Sequence, residues 1–135
     1  MSGILREKKS TSNGILREKS SDKGTKPTRF YSKKQENSVA KAVGGKRTLN
    51  SGATMFGGKS DVLTHKFAVE CKTKTVDSDS ISIKKEWIEK LNREALFDGK
   101  DHYAVAISFG PNSPNYYIID EISFKEYLEF LENNE

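Results

Sequence analysis

The chain has 135 residues, 34% of them apolar and 31% charged. That is enough for one small domain with one core, but it is more polar than a typical globular domain, so part of the chain is expected to stay outside the core. The net charge of +4 is unevenly spread, with residues 1–59 carrying +10 and residues 60–135 carrying −6. A basic front half suits a polyanion such as nucleic acid, and it equally describes a solvated tail. Cys71 is the only cysteine, which excludes an intrachain disulfide and a zinc site built from several cysteines and fits a reducing cytosol. No apolar run approaches the ~18 residues of a membrane span, and the N-terminus lacks the apolar core of a signal peptide, so no membrane association is expected.

Residues 3–8 and 14–19 both read Gly-Ile-Leu-Arg-Glu-Lys. Two repeats this short cannot build a core. They read either as a duplicated docking peptide for a protein partner, with Ile-Leu as anchor, or as a tail duplicated by slippage; the composition favours the second. Residues 1–29 therefore read as a basic, flexible tail and residues 30–135 as the folded domain.

Ser32 with Gln35 forms a capping-box pattern for a first helix. Glu36, Val39, Ala40 and Val43 then recur on one helix face, and Gly44-Gly45 ends it. A carboxylate on an apolar stripe ordinarily lies at its edge and reaches water; here Glu36 is also a candidate ligand or ligand-orienting group. Residues 46–60 combine glycines with Lys46, Arg47, Ser51 and Lys59, a surface loop or weak strand whose amides, hydroxyls and cations suit phosphate contacts.

The most informative spacing follows. If Asp61–Thr64 pairs with Phe67–Glu70 across a two-residue turn at His65-Lys66, Asp61 falls opposite Glu70, with Cβ atoms ~5 Å apart. Two carboxylates so close are unfavourable unless a cation lies between them. Glu70 and Lys72 share one strand face while Val69 and Cys71 point to the other. Asp61 and Glu70, with the Cys71 carbonyl and Glu36 directly or through water, would hold Mg²⁺, and Lys72 would orient or deprotonate a water or stabilise the charge that develops on a phosphate. The Cys71 side chain is expected in the core. The bland alternative is a surface strand with ordinary charge pairs.

Residues 74–82 read as a loop and 83–98 as a helix with Trp87, Leu91 and Ala95 on one stripe. Lys84 and Lys85 in its first turn oppose the helix dipole, an arrangement that a phosphate, or simple solvation, would explain. His102–Phe109 reads as a buried strand, Pro111–Pro114 as a turn and Asn115–Asp120 as a strand. Ser123 with Glu126 reads as a capping box opening a last helix whose Phe124, Tyr127, Leu128 and Leu131 face inward. The order predicts an α/β fold, a mixed β-sheet flanked by helices. Neither His65 nor His102 is given a catalytic role.

Ser60-Asp61-Val62…Val69-Glu70-Cys71-Lys72 resembles the PD-(D/E)XK nuclease motif, with Ser60 in place of the usual proline. The wider run from Gln35-Glu36 through Gly45-Lys46-Arg47 and Ser51-Gly52-Ala53 to Lys72 resembles the small archaeal and phage Holliday junction resolvases of that superfamily. The resemblance covers residues 31–109. It implies a restriction-endonuclease-like core, dependence on Mg²⁺ with Mn²⁺ as a substitute, and a homodimer acting on branched DNA. Carried over by position, Glu36, Asp61, Glu70 and Lys72 form the active site. Lys46, Arg47, Ser51, Lys59, Lys84 and Lys85 are the DNA-binding candidates, Ser51 being placed near the cleaved strand by the resemblance. A nicking or recombination nuclease on duplex DNA and a catalytically inactive DNA-binding module are the alternatives. The short, lysine-rich chain points to a phage or bacterial source and to action in the host cytoplasm.

Overall fold

The structure, a computed structural model, describes residues 26–48 and 60–134. The duplicated hexapeptide, Ser51 and Lys59 lie outside the described residues. The chain divides into two units, Met1–Phe30 and Tyr31–Glu135. Helix α1 spans Thr28–Val43, followed by strands β1 (Lys46–Arg47), β2 (Val62–Leu63) and β3 (Phe67–Thr73), helix α2 (Lys85–Phe97), strands β4 (His102–Ser108) and β5 (Asn115–Ile119), and helix α3 (Glu121–Asn133). The strands form one mixed sheet in the order β1-β2-β3-β4-β5. β3 and β4 run parallel, joined through α2, and the other neighbouring pairs are antiparallel. The expected α/β class and element order are therefore observed. No described helix is long and apolar enough to cross a membrane.

The period-two alternation of β3 decides what faces what. Val69 packs with Val39 of α1, Val62 and Ala106 on one face of the sheet, with Cys71 against that cluster. Ala68 packs with Leu91 and Ala95 of α2, Val105 and Ile107 on the other. Glu70 and Lys72 are in phase with Ala68 and so face α2. β4 reads as an apolar run because the whole of Ala104–Ile107 is buried, with clusters on both sides.

Two glycines set the path from α1 into the sheet. Gly44 takes φ 71°, and the Gly45 N–H donates to the Ala40 carbonyl at 2.9 Å, closing the helix as a left-handed C-cap does. A Cβ on Gly45 would meet the Leu63 carbonyl oxygen at 2.7 Å and side-chain carbons of Val62 and Thr64 at 3.0 Å. Gly45→Ala must therefore push β2 away from the helix. The expected cost is ~1–3 kcal/mol, read as a lower urea midpoint with unchanged slope.

Two helix starts differ from the sequence reading. α1 begins at Thr28, after Pro27, whose fixed φ favours the opening of a helix. Ser32 and Gln35 are therefore interior to the helix and not a cap, and Gln35 is buried. α3 begins at Glu121, and its N-cap is Asp120, whose side chain accepts from the Ser123 N–H at 2.8 Å. A carboxylate satisfies this N-terminus better than a hydroxyl because it also meets the helix dipole. Ser123 is turned inward, its Oγ 2.8 Å from His102 Nδ1, and His102 Nε2 lies 3.3 Å from Glu126. With Ser123 on the sheet side, Phe124, Tyr127, Leu128 and Leu131 are 37–54% exposed. The inward packing expected for them is not observed.

Candidate active site

The β2–β3 hairpin has the register that brings the two carboxylates together. Val62 lies opposite Val69 and Leu63 opposite Ala68, so Asp61, the next residue out, faces Glu70. The turn is closed by the Thr64 N–H donating to the Phe67 carbonyl and the Phe67 N–H donating to Thr64 Oγ1, both at 2.9 Å. The ladder ends at Asp61, where a side chain replaces the backbone: Asp61 Oδ2 accepts from the Cys71 N–H at 2.9 Å. The N–H and carbonyl of a strand residue point to the same edge, so the Cys71 carbonyl is directed to the edge that Asp61 occupies. The Cys71 thiol points the other way, among the apolar residues beneath α1. Burial, then the Asp61, Glu36 and Glu70 charges, push it up out of the thiolate range.

Lys72 Nζ lies 3.3 Å from Glu70 Oε2 and 4.8 Å from the centroid of the Trp87 ring. The lysine thus has a carboxylate on one side and an aromatic face on the other, a setting that holds its ammonium in place. A cleft of about 370 Å³ opens beside it, lined by Glu70, Lys72, Trp87, Lys90, Arg93 and Glu94 among others. Glu94 is 6% exposed, with Lys90 Nζ at 3.5 Å; its carboxyl is pushed up by burial and by Asp61 and Asp98, against Lys90. The Glu70 carboxyl is raised to about 7, mostly by burial, then by the charges of Asp61 and Glu94, with Lys72 opposing.

Of the residues singled out in the sequence, the structure brings Asp61, Glu70 and Lys72 into one place, with the Cys71 backbone at its edge. Glu36 is joined to Arg47, whose Nε lies 3.2 Å from its Oε1, and Arg47 also donates to Asn37. Arg47 is thus engaged within the protein, whereas Lys46 is exposed on β1. Lys84 is the N-cap position of α2, without a side-chain cap, so of the two lysines only Lys85 is in the first turn, 3.8 Å from Glu89. Glu94 is a site residue that the sequence reading misses. Its signal is a carboxylate between Leu91 and Ala95 on the apolar stripe of α2, the same cue that marks Glu36. Trp87, on the apolar stripe of α2, packs partly against the core and also forms a wall of the cleft.

Two carboxylates and a backbone carbonyl are oxygen donors of the kind that a hard divalent cation takes. Among the described residues, no three His, Cys, Asp or Glu side chains converge closely enough to hold a metal between them. Mg²⁺ does not demand such a cage; it keeps several waters and is commonly held by one or two carboxylates together with substrate phosphate. Of the two neighbouring carboxylates, Glu70 is raised to about 7, so a nearby cation would favour its charged form.

The raised carboxyl has a measurable consequence. A folded-state value near 7, against the ordinary carboxyl value of 4.5 in the unfolded chain, means that the folded protein binds the proton more tightly. The associated stability is complete below about pH 4.5 and is lost as pH rises through about 7, an expected loss of about 3 kcal/mol for the metal-free protein. Thermal melts in EDTA should show the fall between pH 5 and pH 8, and added Mg²⁺ at pH 8 should recover much of it, since a bound cation stabilises the charged form.

Compared with known protein families, with curated proteins and with solved structures, the chain matches none.

Proposed function

We propose that this protein is a metal-dependent endodeoxyribonuclease with a restriction-endonuclease-like core, selective for branched DNA in the manner of a Holliday junction resolvase. The observation that carries the reading is the β2–β3 register, which sets Asp61 one residue beyond the Val62–Val69 pair toward Glu70, whose carboxyl the Asp61 charge helps to raise, with Lys72 Nζ 3.3 Å from Glu70. The antiparallel hairpin leading into a parallel β3-α2-β4 unit supports the core assignment. The resemblance of this hairpin to the PD-(D/E)XK motif supports the chemistry.

Asp61 and Glu70 would hold Mg²⁺ or Mn²⁺, assisted by the Cys71 carbonyl, with Glu36 acting through water or once Arg47 turns to the DNA. When bound, the ion supplies Lewis acidity beside the scissile phosphate. A lysine ammonium has three donors: Lys72 spends one on Glu70, and the others are available to orient the attacking water and to meet charge on the phosphate. The Trp87 ring restrains the lysine on the remaining side. Lys46, Lys84 and Lys85, with Lys90 and Arg93 at the cleft, provide backbone contacts, which place the strand without reading bases. Shape would then set selectivity. A homodimer presenting two such sites would suit a branched substrate, and a reducing cytosol would suit Cys71.

The test is cleavage of a labelled four-way junction and a matched linear duplex in Mg²⁺. Preferential cutting of the junction is expected. Equal cutting of both would retain the nuclease and remove the junction selectivity, and binding without cutting in Mg²⁺ would leave only a DNA-binding protein.

A further inference from the structure

Helix α1 has two unlike faces. Gln35 and Val39 are buried on the side of the sheet, where Val39 packs with Val62, Val69 and Ala106. On the opposite side Lys33, Lys34, Asn37 and Lys41 are all exposed. At ~3.6 residues per turn these four fall within about 100° of one another, with Lys33, Asn37 and Lys41 in one row. Among the described residues none of the three lysines has an acidic partner. The one acid of α1, Glu36, is engaged by Arg47 at 3.2 Å. Lys41, in the last turn, meets the helix dipole; Lys33 and Lys34, in the helix interior, have no such role. Residues 60–135 carry −6, so these cations stand apart from the acidic part of the domain and suit a polyanion. Their row is ~12 Å long, a length over which one DNA strand carries about three or four phosphates.

The cleft of Glu70 and Lys72 opens on the other face of the sheet, beside α2. The outer face of α1 is separated from it by the sheet and by the helix itself, ~10–12 Å across with its side chains. Duplex DNA is stiff on this scale, with a persistence length of ~50 nm. A straight duplex that fills the cleft cannot also run along the outer face of α1, whereas a second arm leaving a branch point can. We infer that the outer face of α1 carries a second arm of a branched DNA, held at its phosphates by Lys33, Lys34 and Lys41. That the arm in the cleft is the one cut rests on the proposed function; the grip of α1 on a phosphate backbone does not.

The experiment uses the full chain in EDTA, so that binding is measured without cleavage. Two triple variants are compared with the wild type, one with Lys33→Gln, Lys34→Gln and Lys41→Gln, the other with arginine at the same positions. Fluorescence anisotropy gives affinity for a labelled four-way junction and for a linear duplex from ~50 to ~200 mM salt. On the junction the glutamines should make the slope of log affinity against log salt shallower by about 2–3 and lower affinity about tenfold or more. On the duplex, which engages one surface at a time, the slope should change by less than about 1. Arginine keeps the charge and should keep the wild-type slopes. A junction slope unchanged by the glutamines would overturn the inference, whether or not the protein cuts DNA in Mg²⁺. Equal losses on junction and duplex would put α1 and the cleft on one duplex and overturn the second arm. A loss that arginine fails to restore would make the lysines part of the fold and overturn the phosphate contacts. The expected losses in a protein that never cuts would uphold the α1 surface and remove the nuclease.

Discussion

Glu70→Gln is expected to lower Mg²⁺-dependent cleavage roughly a thousandfold or more while making the metal-free protein more stable at pH 8. The two effects have one cause. Glu70 is largely buried and faces Asp61, and its carboxyl is raised to about 7 by that burial and by the neighbouring Asp61 and Glu94 charges. Above that pH the metal-free protein carries a charge that its surroundings oppose. The amide has nearly the same shape without the charge, so the strain is relieved, and so is the affinity for a cation. Circular dichroism melts in EDTA at pH 8 would show the higher midpoint, and cleavage assays the loss. A lower midpoint would show that the carboxylate serves the fold and not a metal.

Lys72→Met should separate metal binding from cutting. The methionine keeps the hydrophobic stem and can still lie against Trp87, but the ammonium that stands 3.3 Å from Glu70 is gone. Removing a positive neighbour leaves the Asp61–Glu70 pair more in need of a cation, so Mg²⁺ affinity by calorimetry should be retained or increased. Cleavage should fall by roughly 10²–10³, the range found when one preorganised donor to developing charge is removed. The metal-free variant should be less stable at pH 8, opposite in sign to Glu70→Gln, because a largely buried carboxylate has lost its partner. Loss of both metal affinity and cleavage would instead make Lys72 a structural partner of Glu70.

The hairpin is legible in the sequence because its register has few degrees of freedom. A two-residue turn and the period-two alternation of Val62, Val69 and Ala68 fix which residue meets which, so the Asp61–Glu70 pairing follows from counting. The central strands and α2 are legible for the same reason: long apolar runs and a single stripe leave little choice. Glu94 is not legible, because its approach to Glu70 depends on how α2 lies across β3 and not on any spacing within the helix. The last helix shows a different limit. Phe124, Tyr127, Leu128 and Leu131 do form a stripe, but periodicity tells only that one face is apolar, not that anything covers it. Asp120 and Ser123 compete for one cap, and Asp120 takes it, so the helix begins at Glu121.

The most direct test of the central claim is single-turnover cleavage of an end-labelled four-way junction by the wild-type protein and by Asp61→Asn, in Mg²⁺ and in EDTA. Cutting by the wild type in Mg²⁺ alone, with none by Asp61→Asn in either condition, is the expected result. Cutting that persists in EDTA, or that survives Asp61→Asn, would contradict a metal held between Asp61 and Glu70.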